Sequence, residues 1–141
     1  RFTSKDFEGA RRDLEQVADR PETSAGAHYF LARIARQAND VALARQHIDA
    51  VLRASPQYPD AWAELGLLQT RAGEYAEAER SLQKALSLDP DNYPATVNLA
   101  ALYTRTRDSR RDEQTARLAE LQRKRGEQAQ DFLRTIQVVP Q

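Results

Sequence analysis

Apolar residues in this chain recur at the spacing of a helix, not of a strand. Between Ala61 and Gln69, Trp62, Leu65, Gly66 and Leu68 share one side at i, i+3, i+4 and i+6, which predicts a helix. A glycine in its middle costs about 1 kcal/mol relative to alanine. The helix ends at "RAGE", where Gly73 can adopt the left-handed conformation and Glu74 opens a second helix near its positive end. That second helix stops at "SLDPDN", because Pro90 blocks continuation.

The same pair of helices recurs at a fixed interval. A shift of 34 residues lays "AHYFLARIARQANDVALARQHIDAVLRASP" from Ala27 over "AWAELGLLQTRAGEYAEAERSLQKALSLDP" from Ala61 without a gap. Leu31 meets Leu65, Ile34 meets Leu68, Ala44 meets Ala78, Ile48 meets Leu82 and Pro56 meets Pro90. Asn39 stands where Gly73 does, asparagine being the next best left-handed residue. A further shift carries Leu65 to Leu99, Leu68 to Leu102 and Gly66 to Ala100. "KDFEGARRDLEQVAD" matches the second half of a unit. Residues 1–24 therefore read as the second helix of a partial repeat, 25–58 and 59–92 as two full repeats, and 93–126 as a degenerate third. Residues 127–141 read as a capping helix and tail, either continuous with the helix before them or bent near Gly126. Leu133 and Ile136 follow Leu99 and Leu102 by one period, which favours a fourth first-helix there.

The central unit resembles the tetratricopeptide repeat. That family's run of tryptophan, leucine, glycine, aromatic, alanine, large apolar, alanine and proline falls on Trp62, Leu65, Gly66, Tyr75, Ala78, Leu82, Ala85 and Pro90. Gln69 takes the place of an aromatic usual in the family, with Ala35 and Tyr103 at the equivalent positions. In the third unit Thr96 replaces the tryptophan, Arg107 the turn glycine and Asp112 the small alanine, as a terminal, partly solvated unit allows. The resemblance implies an all-α array of helical hairpins wound as a right-handed superhelix with a C-terminal capping helix. It also implies a close helix approach at Gly66, where the alanines at 32 and 100 suggest that alanine would fit.

In this family the concave wall is built mainly from the first helix of each unit. By position, the groove then takes Tyr29, Phe30, Arg33, Arg36 and Gln37 from the first full unit. The second supplies Asp60, Ala63, Glu64, Leu67, Thr70 and Arg71, and the third Val97, Asn98, Ala101, Thr104 and Arg105. The aromatics offer anchoring area and the arginines a lining for carboxylates, which suits a partner segment of mixed apolar and acidic character. Relatives that clamp a chaperone's terminal carboxylate use lysines, asparagines and an arginine where this chain has Tyr29, Arg33, Glu64, Pro94 and Asn98; Glu64 and Pro94 argue against that function.

Composition narrows the classes further. Apolar residues make up 40% and charged residues 30%, the profile of a soluble helical protein rather than a disordered one. Net charge is zero, so nothing favours whole-molecule attraction to nucleic acid or an anionic membrane. Residues 60–91 carry seven acids against three bases, and residues 105–125 eight bases against four acids. There is no cysteine, hence no disulfide framework or thiolate site, and no apolar run long enough to span a membrane. Compartment is not encoded, and the opening "RFTSKDFEGA" has the look of the middle of a longer chain.

Catalytic signatures are absent: no phosphate-binding glycine loop, no HExxH and no Gly-x-Ser-x-Gly. No cofactor or metal is expected, and no enzyme activity. His28 occupies the place of Trp62 and is expected to pack, while His47 is expected to be solvated among Arg45, Gln46 and Asp49. Glu77 and Glu79 are expected on a wet face, with Arg80 three residues after Glu77, and "RKR" at 123–125 likewise. The chain thus reads as a protein-interaction scaffold. The alternative is self-association through array ends such as Phe2, Phe7, Leu14 and Val17, or through the C-terminal helix at Phe132.

Overall fold

The computed structural model describes residues 4–18 and 24–137. Seven helices account for them: α1 (Ser4–Ala18), α2 (Ser24–Gln37), α3 (Val41–Ala54), α4 (Pro59–Arg71), α5 (Tyr75–Leu88), α6 (Tyr93–Arg105) and α7 (Arg111–Gln137). No strand occurs among the described residues. Successive pairs form hairpins, α2 with α3, α4 with α5 and α6 with α7, preceded by α1, and the hairpins stack in chain order. The tail from Val138 and the side chains of Phe2, Phe7 and Val17 lie outside the described residues.

One turn geometry is used three times. The left-handed residues are Asn39, Gly73 and Arg107, with φ of 62°, 80° and 57°. The next N–H, of Asp40, Glu74 and Asp108, reaches back to the carbonyls of Ala35, Gln69 and Tyr103 at 2.8, 2.9 and 2.8 Å, closing the end of each first helix. Asp40 also caps α3 by accepting from the Leu43 N–H at 3.1 Å. Pro59 and Pro94 sit in the first turns of α4 and α6, where a missing N–H is harmless.

After the third turn the repeat changes frame. α5 begins directly after Glu74, whereas Ser109 and Arg110 intervene before α7. Gln114, Leu118 and Leu121 therefore take the places that Ala78, Leu82 and Ala85 hold in α5. Leu121 is buried and Leu118 half-buried, while Asp112, Ala116 and Ala119 are exposed. The alignment of Asp112 with the small alanine is thus corrected by two residues. Arg110 secures the longer loop: its guanidinium meets Asp108 at 2.8 Å and Glu79 at 2.8 Å, and lies 4.5 Å from the Tyr103 ring centre. Glu79 also accepts the Tyr103 hydroxyl at 2.6 Å, so it is a partly buried partner and not the solvated acid expected.

α7 runs unbroken through Gly126, the continuous one of the two alternatives the sequence leaves open. No proline interrupts it, and nothing lies within 4 Å of the Gly126 Cβ position to force a bend. Leu118 and Leu121 are covered in the part of α7 that packs on α6. Phe132, Leu133 and Ile136, by contrast, are 66, 54 and 51% exposed, so the fourth first-helix expected from their spacing does not fold back onto the third unit.

Apolar burial crosses hairpin boundaries. One cluster joins Tyr29, Ala32 and Ala35 of α2 and Ala44, Ile48 and Val51 of α3 to Ala61, Leu65 and Leu68 of α4. A second joins Ala63, Ala78, Leu82 and Ala85 to Ala95, Leu99, Leu102 and Tyr103 of α6. Trp62 packs against both, and its indole N–H donates to the Pro56 carbonyl at 2.8 Å. Where the missing aromatic leaves Gln69 buried, Ser81 donates to its amide oxygen at 2.7 Å.

The close approach at Gly66 is tighter than the alanines at 32 and 100 suggest. A Cβ there would fall 2.5 Å from Leu82 Cγ and 3.3 Å from the Ala78 carbonyl oxygen. In the preceding hairpin the register sets Ile48 opposite Ala32; isoleucine branches nearer its own backbone, whereas leucine carries both methyls further out toward the facing helix. Leu82 is fully buried, and the second contact is to backbone, so a methyl there forces the facing helix to shift. Gly66→Ala should therefore destabilise the protein by about 1–3 kcal/mol despite its better helix propensity. Urea unfolding of the variant, and of Gly66→Ala with Leu82→Ala, which should recover part of the loss, checks this.

Candidate functional site

The first helices α2, α4 and α6 lie side by side and form one wall. Asn98 of α6 donates its side-chain amide to the Ala63 carbonyl of α4 at 3.3 Å, and Asn92 donates to Asp60 at 2.7 Å. Arg36 of α2 pairs with Glu64 of α4 through both carboxylate oxygens. By the 34-residue register Phe30, Glu64 and Asn98 are equivalent positions, as are Arg33, Leu67 and Ala101, and Gln37, Arg71 and Arg105.

The candidate residues divide into those the wall consumes and those it presents. Tyr29 is buried, its ring 5.4 Å from that of Tyr58, and burial with the charge of Asp60 pushes its phenol up to about 12. Glu64 is buried under Arg36, and Thr70 is buried with its hydroxyl donating to the Gly66 carbonyl at 2.8 Å. Ala63 is also buried, and Asp60 is occupied by Asn92. These residues, with Arg36, are parts of the wall and not contacts it offers. Helical spacing gives each of them an outward direction but not the neighbour met in that direction.

The presented set is smaller. Phe30 is 48% exposed, and Arg33 lies across it, 5.9 Å from its ring centre and 5.8 Å from that of Tyr29. Gln37, Arg71, Ala101, Thr104 and Arg105 are exposed, and Leu67, Val97 and Asn98 half-buried. Among the described residues no carboxylate lies within 4.0 Å of Arg33, Arg71 or Arg105. Among the described residues these three guanidinium groups thus have no carboxylate partner, Arg33 lying against Phe30 and Arg71 one turn after Leu67. Arg71 and Arg105 stand in the last turns of their helices, where the helix dipole favours a cation.

The two histidines meet each other instead of standing apart. His28 Nδ1 and His47 Nδ1 are 2.9 Å apart across α2 and α3, so His47 is half-buried and not the solvated residue expected. Burial, then the neighbouring His28, holds His47 below the ordinary imidazole value, while Glu15 pulls the other way. No cluster of three potential metal ligands occurs among the described residues, and no described helix is long and apolar enough to cross a membrane. In the "RKR" run, Arg123 pairs with Glu127, Lys124 approaches Asp91 at 3.9 Å and Arg125 covers the Tyr93 ring at 4.4 Å. Only Arg123 thus makes a contact of its own helix face; Lys124 and Arg125 reach the loop before α6 and its start, and not solvent alone as expected.

Comparison with known proteins gives consistent matches. Two family models, each described as tetratricopeptide repeat, match residues 2–59 and 59–92. Cellulose synthase operon protein C of Xanthomonas axonopodis pv. citri is 42% identical over 74 residues, which is 52% of this chain and 5% of that protein. The peroxisomal targeting signal receptor of Komagataella phaffii is 36% identical over 55 residues, 39% of this chain and 10% of the receptor. The chain thus spans a tenth or less of the length of these relatives. Among solved structures, MamA residues 41 to the end from Desulfovibrio magneticus RS-1 superposes with a TM-score of 0.69 at 23% identity, covering 85% of this chain and 68% of that one; this likeness shows the fold.

Two measurements test the wall's internal chemistry. Arg36→Met should cost about 3–5 kcal/mol by leaving Glu64 buried without its partner, and adding Glu64→Leu should restore most of it; chemical unfolding of the single and double variants checks this. Burial and then the facing His28 hold His47 below its ordinary value, so below about pH 6.5 that site binds more protons in the unfolded chain than in the folded one. Stability present at pH 7 should therefore fall toward pH 5, with a shallower slope in His47→Leu, as read from unfolding midpoints across that window.

Proposed function

This chain belongs to the tetratricopeptide repeat family, and we propose that it is a non-enzymatic scaffold that binds an extended or helical partner segment along the wall of α2, α4 and α6. The repeats indicate a protein-interaction role. A relative whose name makes it a targeting signal receptor is in keeping with recognition by such an array. The observation that carries the finer reading is the set Arg33, Arg71 and Arg105, without carboxylate partners among the described residues, beside exposed Phe30 and half-buried Leu67.

That set suits a segment in which apolar side chains alternate with carboxylates. The apolar groups cover Phe30, Leu67 and Ala101, while the carboxylates take the guanidiniums in bidentate fashion. Glu64 does not oppose such a ligand, because Arg36 already neutralises it. A partner of this kind needs no movement of the wall, since the inter-helix bonds of Asn92, Asn98 and Arg36 are made without it.

Binding of a library of acidic, Leu- and Phe-containing peptides, followed by fluorescence anisotropy, tests the reading. Reversing the row of charge with Arg71→Glu and Arg105→Glu should weaken binding about tenfold or more, as expected for the loss of charge-assisted bonds. Equal binding by wild type and the reversed protein would exclude the groove as the contact surface.

A further inference from the structure

We propose that the free end of α7 is a dimerisation rod that pairs, antiparallel, with the same segment of a second copy of this chain. α7 reaches the start of α6 at residue 125, where Arg125 covers the Tyr93 ring. From Gly126 to Gln137 it projects past the array by about 18 Å at 1.5 Å per residue. Its side chains there are exposed through Ile136.

The projecting segment has the pattern of a packing helix. Ala129, Leu133 and Ile136 repeat the triplets Ala61, Leu65, Leu68 and Ala95, Leu99, Leu102, both of which are buried between hairpins. At 100° per residue, Ala129, Phe132, Leu133 and Ile136 fall within an arc of about 100°. They continue the side of α7 that packs through Leu118 and Leu121. The charges lie on the opposite side and satisfy one another, Arg123 with Glu127 at 2.5 Å and Arg134 with Asp131 at 3.3 Å.

The flanks of the arc identify the occupant. They are Gln128, Gln130 and Thr135, which both donate and accept hydrogen bonds and so can meet copies of themselves. No like charges face each other when two such arcs are joined. An antiparallel two-fold axis near residues 132 and 133 sets small Ala129 opposite large Ile136, and brings Phe132 and Leu133 against their own copies on either side of the axis. It also sends the two arrays to opposite ends of the paired rods, where they do not collide. Four apolar side chains a copy bury less than the roughly 1,200 Å² of a stable interface, so the dimer is weak and concentration-dependent.

Sedimentation velocity across a wide concentration range is the test, with circular dichroism to confirm that each variant keeps its helices. Wild type should shift from monomer toward dimer, and Phe132→Asp should remain monomeric because it sets two carboxylates at the two-fold axis. Gln128 and Thr135 share one flank and meet across the antiparallel seam, so the double variant Gln128→Lys, Thr135→Glu should tighten the dimer about tenfold. A wild type that stays monomeric throughout, or a dimer indifferent to Phe132→Asp, overturns the proposal. Weakening by the double variant would refute the antiparallel seam. Loss of association in Ala38→Arg would seat the rod in the cleft of about 400 Å³ between α1 and the α2–α3 hairpin, and equally refute it.

Discussion

No hairpin in this protein can bury its apolar residues by itself. The triplet at 61, 65 and 68 finds its partners on α2 and α3, and the triplet at 95, 99 and 102 finds them on α4 and α5. Much else follows from this dependence on a neighbour. It sets the common 34-residue spacing, because each first helix must present the same face to the hairpin before it. Gly66 answers to a contact inside one hairpin instead, Leu82 of α5 lying 2.5 Å from where a methyl on α4 would stand. Dependence on a neighbour also leaves residues 126–136 of α7 exposed, because no described hairpin follows to receive them.

Polar groups on the wall are arranged by the same rule. Asn98 and Arg36 each reach from one unit to an acceptor in the adjacent unit, at the Ala63 carbonyl and Glu64, and Asn92, capping α6 at the junction, reaches back to Asp60 at the start of α4. These bonds fix how far one unit rotates on the next, since apolar contact alone is indifferent to small sliding. The zero net charge of the chain is therefore a sum over local pairings, not an absence of electrostatic structure.

The architecture was legible in the sequence because period, residue size and turn chemistry agree at each of the three hairpins. Asn39 and Gly73 announced their left-handed turns, and Arg107 was recognisable as the residue standing in their place. The frame shift before α7 was not legible, since Ser109 and Arg110 add length to a loop without disturbing the apolar spacing on either side. The wall was legible in direction but not in occupancy. Arg36 and Glu64 stand 28 residues apart and looked like two independent groove residues, yet they form one buried pair. His28 and His47, 19 apart, were likewise assigned separate fates. Pairings of this kind depend on side-chain reach between different helices, which a single-helix projection does not contain.

Trp62 stands where the two apolar clusters touch, held by the Pro56 carbonyl through its indole nitrogen. It is the chain's only tryptophan among five tyrosines, so the protein has a single long-wavelength emitter placed at a joint and not within a unit. Its emission reports whether adjacent hairpins remain docked. An array that came apart between units while keeping its helices would leave far-ultraviolet dichroism almost unchanged and would be seen in the colour of this one residue.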